Sequence, residues 1–440
     1  MDVLPLITGT RAGEVSASVE AAIRRGDLQP GQPLPPVRRL ASSLGLSPTT
    51  VAAAYRDLQI RGLLTAAGRR GTRVSPRPPL AARASRVVPA GARDLTHGNP
   101  DAALLPDLEP FLRDLRPGHR LYGEPTNRRD LLELAAAGFR ETGISPDFLA
   151  VVGGALDGIE RTLRAHLRPG DRVAIEDPAY PAVYDLLLAL GLVPVPLPVD
   201  ERGFLPAEFE QALPGTAAVL VTPRAQNPTG AALDEQRARQ LRRALAKRRD
   251  VLVIEDDHAG AIAGTPAVTL CAPTPPGHWA VVRSVSKALG PDLRLAVMAG
   301  DAVTISRVEG LQQIGAGWVS HILQKLVVDL MKDPATAGLM ERATRAYAER
   351  RRALIRALAG HGLAAWGRSG LNVWVPVPDE DAAVRRLLEA GWAVARGERF
   401  RLLAGPGIRI SIATLDPADA RRLAADLARP AAAPPTTRSA

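Results

Sequence analysis

The chain has 440 residues, of which 46% are hydrophobic and 23% charged, a composition typical of a globular protein with two or three domains. Its single cysteine, Cys271, excludes an internal disulfide framework and fits a reducing compartment. Prolines interrupt the longest apolar run, around residues 186–199, which excludes a membrane-spanning helix there. The start of the chain lacks the basic segment of a secretory signal, so we expect a cytoplasmic protein that does not enter a membrane.

The formal net charge of +10 is unevenly distributed along the chain. Residues 1–80 contain 11 arginines and 5 acidic residues, which favours binding of this segment to an acidic polymer. The whole chain has 52 arginines but only four lysines, among them Lys287. Lysine forms imines and arginine does not. A lysine in this chain is therefore either a surface residue without a specific role or a residue whose amine is needed for a reaction.

Helical periodicity, turn residues and short β-branched runs predict three helices followed by a hairpin in the first 80 residues. The predicted helices cover residues 14–25, 36–44 and 47 to about 62, and the predicted strands cover residues 63–66 and 72–75. Ser47 can cap the third helix, with Pro48 at the first helical position. We expect Gly68–Gly71 to be the arginine-bearing tip of the hairpin. This order of elements is that of a winged helix-turn-helix.

Several stretches of this segment resemble the DNA-binding domain of GntR-family regulators: Leu34–Ala41, Leu46–Val51, Tyr55–Leu58 and Gly62–Leu64. The resemblance implies binding to double-stranded DNA, with a recognition helix that starts near residue 47 and a basic wing. The residues that it places at the DNA are Arg38, Ser47, Thr49, Thr50, Arg69, Arg70 and Arg73. Taken alone, each of these arginines would be interpreted as a solvated surface charge. The arrangement as a whole supports the DNA-binding interpretation.

Behind this segment, short β-branched runs alternate with helical patterns, which predicts an α/β fold with a mostly parallel sheet. The predicted strands are 151–152, 172–175, 193–197, 218–221, 251–255, 280–282 and 296–298, and residues 235–248 are a predicted helix. We therefore divide the chain into a winged helix-turn-helix domain at 1–78, a linker at 79–93, an α/β domain at 94–427 and a disordered tail at 428–440. In such sheets, ligands bind at the carboxyl ends of the strands.

Polar segments follow four of the predicted strands. Lys287, with Ser284 and Arg294 nearby, offers the amine, hydroxyl and guanidinium that a phosphate-bearing aldehyde cofactor requires. Gly153-Gly154 leaves a strand and opens a helix, where backbone N–H groups can meet a dianion. Asn227 begins an Asn-Pro-Thr-Gly segment that, taken alone, is a common turn.

The fourth segment is the acidic run that starts at Glu255. Alternation along a strand puts Asp256 and His258 on one face and the neighbouring carboxylates on the other, which argues against a shared metal site. The seven histidines are scattered and none is paired at helical ligand spacing, so we expect no metal.

The order and separation of these four segments resemble the fold type I aminotransferases, which use pyridoxal phosphate, over residues 94–427. The resemblance implies a large, mostly parallel sheet domain and a smaller C-terminal α+β subdomain at about 325–427. With the front domain included, the whole chain resembles the MocR group of GntR-family regulators. That resemblance implies a homodimer that binds DNA, pyridoxal 5′-phosphate and a small amino-compound effector.

The resemblance also implies a role for each matching residue. Lys287 would form the imine with the cofactor, Asp256 would pair with the ring nitrogen and Asn227 would donate to the phenolate oxygen. Tyr180 would lie against the ring, and His258 stands where many relatives have a tyrosine near the same oxygen. The phosphate would be held by Gly154, Ala155, Ser284, Arg294 and Tyr122 of the partner subunit.

On the effector side, the same resemblance assigns Arg409 to the carboxylate of the effector, although alone it could be an ordinary strand arginine. Three functions share this pocket. The leading hypothesis is a regulator that senses pyridoxal phosphate or an amino compound, with residual transamination at most. The alternatives are a working aminotransferase with an accessory DNA-binding domain and a scaffold that has lost its cofactor.

Overall fold

The computed structural model describes residues 3–60, 62–66, 71–75, 88–116 and 118–429. These residues belong to two compact units. One contains the described residues of the segment Met1–Arg86 together with Leu167–Val173 and Ala182–Pro194, and the other contains the described residues of Val87–His166, Ala174–Pro181 and Val195–Ala440.

The front of the chain folds into three helices and a two-stranded hairpin, as the sequence predicts. The elements are α1 (Ala12–Arg25), α2 (Val37–Leu44), α3 (Pro48–Ile60), β1 (Leu64–Ala66) and β2 (Thr72–Val74). Val15, Val19, Leu40 and Leu58 are fully buried between them, so each helix contributes one apolar face to a common core. The two strands pair antiparallel, with Leu64 opposite Val74.

Local side-chain contacts explain two helix starts in this part of the chain. The hydroxyl of Ser47 accepts a hydrogen bond from the backbone N–H of Thr50 at 3.1 Å, which confirms the predicted cap of α3. Helix α1 begins two residues before its predicted start at Glu14. The Glu14 carboxylate instead lies within the first turn, where it accepts a hydrogen bond from the backbone N–H of Thr10 at 2.8 Å.

The remaining elements form two sheets and the helices that cover them. The helices are α4 (Glu109–Asp114), α5 (Arg129–Glu141), α6 (Ala155–His166), α7 (Pro181–Ala189), α8 (Pro206–Ala212), α9 (Glu235–Ala246), α10 (Ala302–Ile314), α11 (His321–Lys332), α12 (Pro334–Gly360), α13 (Glu380–Glu389) and α14 (Pro417–Ala428). The strands are β3 (Arg93–Leu95), β4 (Leu149–Val152), β5 (Arg172–Asp177), β6 (Val193–Asp200), β7 (Gly203–Phe204), β8 (Ala218–Val221), β9 (Leu252–Asp257), β10 (His278–Ser284), β11 (Ala296–Gly300), β12 (Asn372–Pro376), β13 (Trp392–Arg396) and β14 (Gly407–Ser411).

The large sheet has eight strands in the order β4-β11-β10-β9-β8-β5-β6-β7. Strands β8, β9 and β10 run parallel, whereas β11 is antiparallel to both of its neighbours, so the sheet is mixed. Every residue of β8 and β9 is buried, as expected for strands covered on both faces. The predicted α/β fold is confirmed, and each predicted strand overlaps an observed one.

The smaller sheet has four strands in the order β12-β14-β13-β3. Strand β3 pairs parallel with β13, while β14 pairs antiparallel with both β12 and β13. Strand β3 begins at Arg93, the last residue of the predicted linker. Among the described residues, no helix has the length and apolar character needed to cross a membrane.

Candidate active site

The carboxyl ends of β8, β9 and β10 position the predicted amine, carboxylate and amide at one edge of the large sheet. These strands are neighbours and run parallel, so the residues that end or follow them lie on the same side. Asn227 follows β8, Asp256 is the penultimate residue of β9 and Lys287 follows β10. Residues separated by up to 60 positions in sequence thereby reach one site.

Lys287 lies in a largely desolvated position within this site. Its ammonium donates a hydrogen bond to the backbone carbonyl of Gly98 at 2.6 Å. Burial, followed by the nearby charge of Arg409, lowers the pKa of Lys287 to about 8, while Asp256 opposes this shift. A larger fraction of the amine is therefore neutral near physiological pH than for an ordinary lysine, which suits a nucleophile.

Asp256 is a buried carboxylate with incomplete hydrogen bonding. Its Oδ1 atom has no hydrogen-bond partner within the part of the chain that the structure describes. Burial, and then the charge of Asp257, raises its pKa to about 7, and Lys287 partly offsets this. His258 lies on the same face, with Nδ1 3.9 Å from Oδ2 of Asp256, and desolvation lowers the pKa of His258 to about 4. His258 is thus neutral at physiological pH.

A glycine and an arginine form one wall of the site. Gly154 has a φ of +105°, and a β-carbon added to it would stand 2.9 Å from Nη2 of Arg294. The guanidinium of Arg294 also donates to the carbonyl of Gly153 at 3.4 Å. Ala155 is the first residue of α6 and Ser284 is the last residue of β10, where its hydroxyl donates to Ser286 at 3.0 Å.

The backbone contacts at this wall change one predicted role. The sequence predicts that the N–H groups of the Gly153-Gly154 pair face an anion, but both already have protein acceptors. The N–H of Gly153 donates to Asp157 at 2.8 Å, and the N–H of Gly154 donates to the carbonyl of Val152 at 2.9 Å. Gly154 therefore allows the close approach of Arg294 and does not contribute a free donor.

Arg409 is turned into the same site from the small sheet. Nη1 donates to Oδ1 of Asn227 at 3.0 Å, Nη2 donates to the carbonyl of Thr96, and the guanidinium carbon lies 4.7 Å from the centre of the Phe400 ring. Burial and then Arg399 lower its pKa to about 10, so it keeps its positive charge at neutral pH. The structure thus brings Arg409 to Asn227, across 182 positions in sequence.

Comparison with known proteins places this site in a family. Residues 95–427 match the family of class I and II aminotransferases, and residues 11–74 match the bacterial regulatory proteins of the gntR family. Over 425 residues, 96% of this chain and 99% of the relative, the sequence is 39% identical to the vitamin B6 salvage pathway transcriptional repressor PtsJ of Salmonella typhimurium. The chain belongs to the MocR group of GntR-family transcriptional regulators.

More distant relatives agree with this assignment. The MocR-group chain is 28% identical over 354 residues to the pyridoxine biosynthesis transcriptional regulator PdxR of Corynebacterium glutamicum, covering 77% of this chain and 76% of the relative. Among solved structures, kynurenine aminotransferase of Pyrococcus horikoshii superposes with a TM-score of 0.71 and 22% identity, covering 77% of this chain and 90% of that one. At this identity the likeness shows the fold.

The winged helix-turn-helix of the regulator presents some of its predicted DNA contacts and engages others internally. Arg38, Ser47 and Thr49 are exposed, and Thr50 is partly buried with its hydroxyl 2.8 Å from that of Ser47. Arg73 donates to the backbone carbonyl of Gly31 at 2.9 Å, so part of its hydrogen-bonding capacity supports the fold. The predicted contacts Arg69 and Arg70 lie outside the described residues.

Two tyrosines predicted at the site are solvent-accessible. Tyr180 is 39% exposed and interacts electrostatically with Arg409. Tyr122 is 92% exposed and contacts Trp318 edge to face at 5.5 Å between ring centres. In the described residues, no group of three or more histidine, cysteine, aspartate or glutamate side chains is arranged to hold a metal.

The sequence interpretation missed the segment that follows β3. Its backbone carbonyls at Thr96 and Gly98 accept hydrogen bonds from Arg409 and Lys287. A backbone carbonyl has no residue-type signature, so no motif could have identified these contacts. The sequence interpretation also gave no role to Arg224, which forms a two-point ion pair with Asp257 at 2.7 and 2.8 Å.

Proposed function

We propose that this regulator binds pyridoxal phosphate at Lys287 and DNA through its winged helix-turn-helix, and that ligand binding at the first site changes binding at the second. The observation that carries the proposal is the combination of Lys287 with the unpartnered Oδ1 of Asp256 in a chain whose front matches the gntR family. A protein that acts on bacterial DNA works in the cytoplasm, and we propose that location.

Two features of the site fit pyridoxal phosphate. The buried Oδ1 of Asp256 lacks a hydrogen-bond partner among the described residues, and a protonated pyridine nitrogen is a donor that would supply one. Because Gly154 has no side chain, the guanidinium of Arg294, a preferred partner of phosphate, can pack closely against it, with Nη2 2.9 Å from where a β-carbon would stand. The first feature is costly without a ligand that donates a hydrogen bond, and the second provides a cation for an anionic group.

Each residue would then make one contribution. Lys287 would anchor the cofactor through its ε-amine, and Asp256 would hold a proton at the ring nitrogen. Asn227 would donate to the ring oxygen through its amide nitrogen, since its Oδ1 already accepts from Arg409. When bound, pyridoxal phosphate supplies an aldehyde that combines reversibly with primary amines and a ring that withdraws electrons.

The remaining predicted contacts complete this proposal. Arg294, Ser284 and Ala155 would hold the phosphate together with Tyr122 of the partner subunit, which requires a homodimer. Tyr180 and His258 would border the ring, with His258 neutral because desolvation lowers its pKa to about 4. Sedimentation of the purified protein as a monomer at micromolar concentration would contradict the dimer.

Arg409 would bind the carboxylate of an amino-compound effector, and pyridoxal phosphate itself is the second candidate signal. The relatives named for vitamin B6 salvage and pyridoxine biosynthesis support a response to the cofactor. An effector changes DNA binding only if it binds one arrangement of the chain better than the other.

Absorbance spectroscopy tests the cofactor site directly. Addition of pyridoxal phosphate to the purified protein should produce a visible absorbance band that is lost in Lys287→Ala. Lys247→Ala is the matched control, because Lys247 is exposed and pairs with Glu210 on the surface. Equal bands in all three proteins would exclude Lys287 as the anchor. Sustained product formation from an amino acid and a keto acid would favour the alternative function, a working aminotransferase.

DNA binding is tested with a duplex selected from random sequence by the full-length protein. We expect binding to weaken steeply between 50 and 200 mM salt, since basic side chains release counterions from phosphate groups. Removal of residues 1–78 should abolish binding to this duplex. A truncated chain that retains binding would contradict the assignment of the DNA-binding domain.

A further inference from the structure

Asn372 is a buried polar residue that no predicted motif includes. It is the first residue of β12, and only 4% of its surface is exposed. Its Oδ1 atom is buried and has no hydrogen-bond partner within the described residues. A buried acceptor without a donor destabilises the folded chain, so its retention requires an explanation beyond packing.

The strand register directs Asn372 toward Arg409. Asn372 lies directly opposite Ser411 in the antiparallel pair of β12 and β14, and Arg409 precedes Ser411 by two residues. Side chains two residues apart in a strand share a face, so Asn372 and Arg409 are diagonal neighbours on the same face of the small sheet. On this face Arg409 donates to Oδ1 of Asn227.

Gly98 marks the space that these two side chains border. A β-carbon added to Gly98 would stand 3.6 Å from Nη1 of Arg409 and 3.8 Å from Oδ1 of Asn372. The carbonyl of the same glycine accepts the hydrogen bond from Lys287. A methyl-sized space at Gly98 is therefore bordered by a cationic guanidinium and by the side-chain amide of Asn372, and the backbone of Gly98 contacts the reactive amine.

The unsatisfied atoms in this space specify the chemistry of its occupant. The buried Nε of Arg409 is a donor without a partner among the described residues, and Oδ1 of Asn372 is an acceptor without one. A carboxylate would satisfy the first atom and an N–H or O–H group would satisfy the second. A zwitterionic amino acid carries both groups, whereas a 2-oxo acid carries the carboxylate and lacks the donor.

We propose that Asn372 is a specificity-determining residue of the effector site, which accepts a hydrogen bond from the ammonium of an amino acid whose carboxylate binds Arg409. This inference rests on the proposed effector site and names its ligand class. Discrimination arises because a ligand without the donor leaves Oδ1 of Asn372 buried and unpaired, while the carboxylate contact is the same for both ligands.

Calorimetric titration of the full-length, cofactor-free protein tests the proposal with two matched pairs: L-alanine against pyruvate and L-glutamate against 2-oxoglutarate. In at least one pair, the parent protein should bind the amino acid about tenfold or more tightly than its oxo acid, the penalty of one unpaired buried acceptor. Asn372→Leu should reduce that preference to less than about threefold by weakening amino acid binding while leaving oxo acid binding in place.

Two glycine variants separate loss of the ligand space from loss of the fold. Gly98→Ala places a methyl group in the space at ordinary van der Waals distances from its neighbours, so we expect normal folding and weaker binding of the amino acid. Gly310→Ala is the control, since a β-carbon there meets no atom of the described residues within 4 Å.

The outcomes distinguish this inference from the proposed function. An unchanged preference in Asn372→Leu, equal binding of amino and oxo acids to the parent protein, or binding of none of the four probes would each overturn the role of Asn372. In each of these cases, a visible band with pyridoxal phosphate that depends on Lys287 would still support the cofactor site. Loss of that band alone would overturn the proposed function.

Discussion

Two adjacent carboxylates in β9 have opposite electrostatic environments. Asp257 accepts hydrogen bonds from Arg224 and Arg283, and although burial raises its pKa, these partners hold the pKa below its ordinary value. Asp256 points to the other face, where burial and the charge of Asp257 raise its pKa to about 7. The arginine pairs therefore keep one negative charge next to the site, and that charge favours a proton on Asp256.

The raised pKa of Asp256 predicts a pH dependence of stability for the cofactor-free protein. In the unfolded chain this carboxyl group loses its proton near its ordinary pKa of 3.8, whereas in the folded chain it keeps the proton up to about pH 7. Its contribution to stability is therefore fully present below about pH 4 and is lost as the pH rises to 7. Asp256→Asn should remove this loss, worth roughly 4 kcal/mol at about 1.4 kcal/mol per pKa unit.

Chemical denaturation at pH 5 and pH 8 measures this effect as the difference between parent and variant. Burial also raises the pKa of Glu255 to about 7, but Glu255 is present in both proteins and its effect cancels. We expect the variant to gain stability relative to the parent as the pH increases, while it loses affinity for pyridoxal phosphate. Parallel pH profiles for the two proteins would show that Asp256 is ionised in the folded state.

At the scale of elements, the sequence predicted what depends on local patterns and missed what depends on long-range pairing. The three front helices, the hairpin and seven of the eight strands of the large sheet follow from periodicity and turn residues and were confirmed, whereas the two-residue strand β7 was not predicted. Strand β3 was missed because three residues next to a linker carry no periodicity, and it forms only by pairing with β13, almost 300 residues away. Asn372 was missed because its importance depends on the register of β12 with β14.

The turn between β4 and α6 provides a prediction about the phosphate contact. Gly154→Ala should weaken pyridoxal phosphate binding, because the new β-carbon would stand 2.9 Å from Nη2 of Arg294 and displace the guanidinium. The backbone contributes a second cost, since a φ of +105° is strained for alanine. Absorbance titration measures the affinity, and we expect a decrease of about tenfold or more, the equivalent of one charge-assisted hydrogen bond.

Gly170→Ala is the matched control for this change. Gly170 has a similar φ of +95°, but within the described part of the chain a β-carbon there meets no atom closer than 4 Å. Both variants should lose a similar amount of thermal stability from backbone strain, about 1 kcal/mol. Only Gly154→Ala should lose cofactor affinity. If both bind pyridoxal phosphate as the parent does, Arg294 does not hold the phosphate.

At the scale of the whole molecule, the chain combines a site for a small ligand with a site for DNA, and the two must be linked thermodynamically if one regulates the other. If pyridoxal phosphate changes the affinity for DNA by a given factor, DNA must change the affinity for pyridoxal phosphate by the same factor. For a coupling free energy of the usual size, about 1–3 kcal/mol, this factor is roughly 5 to 150.

Equilibrium titrations in both directions measure this coupling. DNA affinity should be determined with and without saturating pyridoxal phosphate, and cofactor affinity with and without saturating DNA. In the parent protein, we expect pyridoxal phosphate to change the affinity for DNA by the same factor as DNA changes the affinity for pyridoxal phosphate. In Lys287→Ala, which keeps the DNA-binding domain, pyridoxal phosphate should not change the affinity for DNA. A chain without residues 1–78 should bind pyridoxal phosphate with the affinity of the DNA-free parent. If neither ligand changes the affinity of the parent protein for the other, the two sites are independent and the α/β domain has no sensing role. The reason is that a ligand with equal affinity for both conformations of the chain does not shift the equilibrium between them.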